Sequence, residues 1–195
     1  NFTTATQTYN TAVGFQAGAA VTTGISNTLI GGLAGDALTD ADDNVAVGYL
    51  ALSTDTLGSK STALGRNALG TQNFTTATDS YNVAVGFHAG AAITTGGSNI
   101  LVGGLAGDSL TVGNGNIAIG LNALGTDTKG DRNVAIGLNS LATQNFTTST
   151  DSYNTAVGYQ AGYATTTGVE NTLIGALTGD ALTTGQQNVA LGWNA

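Results

Sequence analysis

Asn10-Thr11-Ala12-Val13-Gly14 returns ten more times, lightly edited, with copies beginning at Asn27, Asn44, Ser61, Asn82, Asn99, Asn116, Asn133, Asn154, Asn171 and Asn188. The intervals run 17, 17, 17, 21, then 17, 17, 17, 21, then 17, 17. A period this short and strict specifies a stack of supersecondary units, each too small to bury its apolar face alone. Four intervals make a super-period of 72 residues, which brings Asn1-Phe2-Thr3, Asn73-Phe74-Thr75 and Asn145-Phe146-Thr147 into register. The super-repeats run from about 10–81 and 82–153 to an incomplete third at 154–195. The whole of 1–195 is therefore one repeat segment, and its ends, out of phase with the repeat, lead us to expect an interior piece of a longer fibre.

Each coil is numbered here from its leading Asn or Ser as position zero. Position one is always Thr, Val or Ile, position two Ala or Leu, position three Val, Ile or Leu, and position four Gly. Three β-branched or apolar residues before a Gly suit a very short strand rather than a helical turn. A second short segment and a Gly-bearing corner such as Thr22-Thr23-Gly24 then lead to the next Asn; Gly suits corners that need positive φ. The expected fold is all-β: a parallel β-solenoid of eleven coils of 17 or 21 residues, rising about 4.8 Å per coil. Stacking aligns the leading Asn residues into a ladder of side-chain amides. The four extra residues of every fourth coil are accommodated as loops on one side.

Alternation along a strand sends positions one and three to one face and position two to the other. Both sets are apolar, and a strand apolar on both faces is expected to be covered on both. One face fills the coil and the other meets further copies of the chain, so a homo-oligomer is expected. The interface is expected at position two: Ala12, Leu29, Ala46, Ala84, Leu101, Ala118, Ala135 and Leu173. Where position two is Leu, position five is small (Gly32, Gly104, Ala176); elsewhere it is mostly bulky, as in Phe15, Tyr49 and Trp193. That exchange predicts that these two positions share one packed volume, so that Gly32→Phe relieves Leu29→Ala.

The run Tyr9-Asn-Thr-Ala-Val-Gly-Phe-Gln-Ala-Gly18, with Asn44-Val-Ala-Val-Gly48 and Asn133-Val-Ala-Ile-Gly137, resembles the head-type β-roll repeats of trimeric autotransporter adhesins, which are similar to repeats of phage tail fibres. The resemblance covers nearly the whole chain. It implies a left-handed β-roll, three chains side by side, in a fibre exposed on a cell or virion surface. The 17- and 21-residue coils are longer than the compact repeat of adhesin heads.

The chain carries a net charge of −8 with four basic residues, Lys60, Arg66, Lys129 and Arg132, so there is no footprint for nucleic acid. No apolar stretch approaches a membrane span, and without Cys there is neither a disulfide framework nor a thiolate metal site. The single His88 stands where the other super-repeats carry Gln16 and Gln160, as a surface substitution rather than a catalytic group. Asp36, Asp108 and Asp180 recur once per 72 residues, too sparsely to share a calcium ion, and Asp40, Asp42 and Asp43 cluster only once, as a solvated acidic corner. The glycines lack the Gly-Lys-Ser/Thr ending of a phosphate loop. No catalytic residue, metal ligand or cofactor site is expected, and the chain reads as a non-enzyme.

Asn1, Asn73 and Asn145 each begin an Asn-Phe-Thr glycosylation pattern inside the inserted loop. Phe74, Tyr81, Phe146 and Tyr153 in the same loops are the candidate contacts to a receptor or glycan. The expected role is a structural segment of an extracellular or virion-surface fibre, giving length, rigidity and surface contact, with the chain itself as principal partner in a homotrimer or filament. The alternative is an adhesive module whose loops bind a cell-surface glycan or receptor. An ice-binding Thr face is a third reading, and a glycan depolymerase, which needs paired carboxylates facing one cleft, a more distant one.

Overall fold

The computed structural model describes residues 7–195 and, among them, contains strands and turns but no helix. The protein is an all-β parallel solenoid of about eleven turns. Eleven three-residue strands form one parallel sheet: β1 (Thr11–Val13), β2 (Thr28–Ile30), β3 (Val45–Val47), β5 (Thr62–Leu64), β7 (Val83–Val85), β8 (Ile100–Val102), β9 (Ile117–Ile119), β11 (Val134–Ile136), β13 (Thr155–Val157), β14 (Thr172–Ile174) and β15 (Val189–Leu191). Pairing is position on position: Thr11 lies against Thr28, Thr28 against Val45, Val45 against Thr62, and Thr62 against Val83. Beside the two longer coils, β4 (Gly58–Ser59) pairs with β6 (Thr78–Asp79), and β10 (Gly130–Asp131) with β12 (Thr150–Asp151). The inserted loops thus return to the stack as short parallel strands.

The glycine at position four makes the first bend. Its φ lies between 128° and 144° throughout, a region only glycine occupies without strain. Neighbouring rungs also meet backbone to backbone there. A Cβ built on Gly103 would lie 2.5 Å from the Gly120 carbonyl oxygen of the next coil. Position six follows in the left-handed region in every coil, as do the residues before each leading Asn, which closes the turn into the next rung.

Position two points into the coil, and this corrects the expected interface. Leu29, Ala46, Ala84, Leu101, Ala118, Ala135 and Leu173 are fully or almost fully buried within the single chain. Ala12 points inward toward Gly18 as well, although it is exposed in the outermost described coil. Apart from Ala12 in that outermost coil, none of them is available to a neighbouring chain. The alternation of faces holds, but inside and outside are exchanged. The lumen is narrow, so it accepts Ala at position two opposite Ala at position seven (Ala34, Ala51, Ala68, Ala106), and the bulkier Val, Ile and Leu of positions one and three go outward.

The expected exchange with position five fails for the same reason: Phe15, Tyr49, Phe87, Leu121 and Tyr159 stand on the exterior. The interior partner of position two is position eight. Leu101 leans over two glycines, and Cβ atoms on Gly90 and Gly107 would sit 2.7 and 2.8 Å from its methyl carbons. Leu29 and Leu173 lie over Gly18 and Gly35, and over Gly162 and Gly179, in the same way. Where position two is Ala in the third and fourth coils of a super-repeat, position eight is Leu (Leu52, Leu69, Leu124, Leu141), fully buried. In the first coil of a super-repeat neither position holds leucine (Ala84 with Gly90, Ala156 with Gly162), and leucine methyls of the neighbouring rungs, from Leu69 and Leu101 or from Leu141 and Leu173, reach over the glycine instead.

Candidate functional site

Two side-chain columns bind the rungs together. In the first, Asn27, Asn44, Asn99, Asn116 and Asn133 are wholly buried. Each amide does two jobs. Asn116 Nδ2 donates to the Gly130 carbonyl at 2.9 Å within its own coil, while its Oδ1 accepts the backbone N–H of Asn133 at 3.0 Å on the next. The same pair of bonds recurs at Asn27, Asn44 and Asn99. The expected amide ladder is present, and its bonds tie strand start to coil corner.

The second column, at position eleven, escaped the sequence reading. It runs Val21, Leu38, Asp55, Gln72, Ile93, Leu110, Asp127, Gln144, Thr165, Leu182. Asp55 and Asp127 are wholly buried, as are their partners Gln72 and Gln144. Asp55 Oδ1 accepts the N–H groups of Gly58 (3.0 Å) and Phe74 (2.9 Å), and Oδ2 accepts Gln72 Nε2 at 2.6 Å. Gln72 Oε1 then accepts Asn82 Nδ2 at 2.8 Å, bridging the one gap in the ladder, where Ser61 replaces Asn. Asp127, Gln144 and Asn154 repeat the arrangement. The available signal was the recurrence of both residues 72 positions apart in a column otherwise mostly apolar.

The inserted loops are anchored rather than free. Phe74 and Phe146 are only 8% and 6% exposed, so they are not the contact residues expected of them: each begins its loop with a backbone N–H fixed by the buried aspartate and packs its ring into the stack. Tyr81 and Tyr153, 55% and 49% exposed, do face solvent. A cation from the preceding rung lies over each ring, Lys60 at 5.5 Å and Arg132 at 5.7 Å, and pairs with Asp79 or Asp151, which also accepts the tyrosine hydroxyl. The hydrogen bond from Lys60 holds the Asp79 carboxyl below its ordinary range. Of the glycosylation candidates, Asn145 is exposed and Asn73 half-buried, and each accepts a Thr hydroxyl through Oδ1 (from Thr128 and Thr56). Asn1 lies outside the described residues.

The outward face of the eleven-stranded sheet is uniform from rung to rung. Positions one and three carry no charged residue on any rung. Val13, Ile30, Val45, Leu64, Ile100, Ile119 and Ile174 are exposed along it, flanked by the position-five column of Phe15, Tyr49, Phe87, Leu121 and Tyr159. Arg66 is the one cation in that column. Its guanidinium lies 5.9 Å from the Tyr49 ring and 5.5 Å from the Phe87 ring, and Nη1 donates to His88 Nε2 at 3.1 Å. His88 stacks on Phe87, with centroids 4.2 Å apart.

Other polar groups are absorbed into the stack. Asp42 Oδ1 accepts the Ile25 N–H at 2.8 Å, and Asp40 accepts the Thr23 hydroxyl. Thr22, Thr39, Thr94 and Thr111 each donate a hydroxyl to a carbonyl on the following rung, in a column interrupted by Asn73 and Asn145. Burial raises the Asp36 and Asp108 carboxyls above their ordinary range. Among the described residues there is no group of three or more His, Cys, Asp or Glu placed to hold a metal, and no pocket. Comparison with family models, curated proteins and solved structures gives no match.

Proposed function

We propose that the chain is a structural segment of an extracellular or virion-surface fibre, a left-handed roll of 17- and 21-residue coils standing in a homotrimer. The supporting observation is the outward sheet face. The interior of the solenoid is already filled by positions two, seven, eight and eleven, yet a charge-free row of Val, Ile, Leu and Thr continues outside over every rung. An exposed, largely apolar row repeated on successive rungs supports an association site. A second copy, with the same rung spacing, offers matching side chains on each rung. Burying the row removes apolar area from water at roughly 25 cal/mol per Å². The stack supplies length and rigidity, and its neighbours supply lateral strength.

The test is sedimentation equilibrium of the chain and of Ile100→Asp/Ile119→Asp, two outward substitutions that leave the lumen intact. A trimeric parent and a folded, monomeric variant support the reading. A parent that stays monomeric at high concentration overturns it.

A second reading, adhesion through the inserts, is favoured by the recurrence of exposed Tyr81 and Tyr153 in the same inserts as the solvent-facing residues 75–77 and 147–149. Tyr81→Ala/Tyr153→Ala discriminates: fibres that assemble but no longer attach to cells or glycans favour adhesion, and unchanged attachment disfavours it.

A further inference from the structure

We infer that the buried Asp55–Gln72 and Asp127–Gln144 pairs are register keys, which force each long coil to stack where it does and so keep the surface loops in phase along the solenoid. Repeat stacks face a particular hazard. When consecutive coils present the same shape, one coil can loop out and its neighbours can pair directly across the gap with little lost. Here β3 would pair with β7, leaving residues 61–81 as a loop. Most columns would tolerate that exchange, because position two stays Ala and positions one and three stay β-branched or aliphatic: Val45, Ala46 and Val47 would meet Val83, Ala84 and Val85.

Position eleven would not tolerate it. In the native stack the Asp55 carboxylate has three donors, and two of them, Gln72 Nε2 and the Phe74 N–H, come from the long coil. With that coil displaced, Asp55 would lie between Leu38 and Ile93, both wholly buried in the lumen. A buried carboxylate that loses its partners is among the costliest defects a core can hold, whereas a paired one adds little net stability over a well-packed apolar residue. The pair therefore penalises the wrong stack far more than it favours the right one. Gln72 extends the check to the next coil by completing the ladder at Asn82, across the gap left by Ser61. Both keys stand at the entry of a long coil, and both aspartates fix the N–H of the phenylalanine near the start of the inserted loop.

The chain has no Cys, so a cross-link can report the slip. Tyr49 and Phe87 point outward two rungs apart, a Cα separation of about 9.6 Å at the sheet spacing and beyond the reach of a disulfide. With the intervening coil looped out they become neighbours, within that reach. Chains carrying Tyr49→Cys and Phe87→Cys are refolded from denaturant, oxidised and mapped as peptides, with and without Asp55→Val/Gln72→Leu, and with Asp55→Asn as a milder change that keeps the acceptor for Gly58 and Phe74. The expected result is a trace of intramolecular cross-link in the parent and about a hundredfold more in the apolar variant, with Asp55→Asn between them. A folded apolar variant with the parental cross-link level overturns the inference. So does a variant that does not fold at all while Asp55→Asn cross-links no more than the parent, for then the pair serves stability alone.

Discussion

The alternation of leucine between position two and position eight makes a quantitative prediction about one rung. Leu101 is wholly buried and is bracketed by Gly90 and Gly107, which have no side chains to move into a vacated volume. Leu101→Ala therefore falls in the upper part of the usual range for such truncations, about 3–5 kcal/mol. Gly107→Leu alone is also unfavourable. Its Cβ would lie 2.8 Å from one Leu101 methyl carbon and 2.9 Å from a Leu110 methyl carbon, an overpacking worth roughly 1–3 kcal/mol. The backbone at Gly107 has a φ of 55°, close to the 46–52° that Leu52, Leu69, Leu124 and Leu141 adopt at the same position. Combining the two substitutions recreates the Ala118–Leu124 pairing of the following coil, although Leu110 stands where that coil has Asp127, and is expected to recover part of the loss, a coupling of about 1–3 kcal/mol. Leu101→Ala with Gly104→Phe serves as the control and is expected to be additive, because position five lies outside. Guanidinium unfolding followed by circular dichroism gives the free energies. Amide exchange on β8 and β9 localises them, since a repeat stack need not unfold in one step. Additive losses in the Leu101→Ala/Gly107→Leu chain, or rescue by Gly104→Phe, would refute the interior assignment.

Other consequences can be checked on the same unfolding curves. Asn116→Ala leaves the Gly130 carbonyl and the Asn133 N–H without partners in a dry interior and is expected to cost about 2–4 kcal/mol, with exchange of the Asn133 amide accelerated. Gly103→Ala is expected to cost about 3–4 kcal/mol, strain at φ 135° adding to the clash with Gly120. Gly192→Ala, with nothing within 4 Å, is expected to cost clearly less. Ser140→Ala and Thr165→Val each remove a buried hydroxyl that has no hydrogen-bond partner and are expected to raise stability by about 1 kcal/mol, visible as a higher denaturation midpoint. Asp108 titrates above its ordinary 3.8 because burial penalises its charged form. The folded chain therefore holds that proton more tightly than the unfolded chain. The site's contribution is most favourable below pH 3.8 and is lost as pH rises through the higher folded value. Asp108→Asn is thus expected to stabilise the chain near pH 7 and to flatten that part of the pH profile, and a stability–pH curve superimposable on the parent's would contradict it.

The period announced a parallel solenoid because ten copies of Asn-x-x-x-Gly and one of Ser-x-x-x-Gly demand that like positions stack, and both the amide ladder and the position-four glycines sit where that logic puts them. Alternation alone could not say which face turns inward. Ala and Val are both apolar, and the choice depends on the distance between opposite walls, which only the closed coil defines. A lumen lined by Ala34, Ala51 and Ala106 is too narrow for Val at every rung, so small residues mark the inside and β-branched ones the outside. The bulky aromatics of position five then mark exterior surface, against the habit of assigning large apolar groups to a core. Phe74 and Phe146 reverse that again. Each stands at the start of its loop, far from the exposed Tyr81 or Tyr153 at the other end, and is pulled in because the buried aspartate accepts its own backbone N–H. Asp55 and Asp127 are hidden from a reading along the chain for a related reason: in one dimension an acid among threonines looks like a solvated corner, and only the neighbouring rung supplies the glutamine and N–H groups that make its burial tolerable. In a stack like this, the environment of a residue is set by positions 17 or 21 places away more than by its own neighbours in the chain. Comparing columns across rungs, rather than windows along the chain, is therefore what separates lumen from surface here. By that comparison, the outer row stands apart as the pair of columns that carries no charge on any rung.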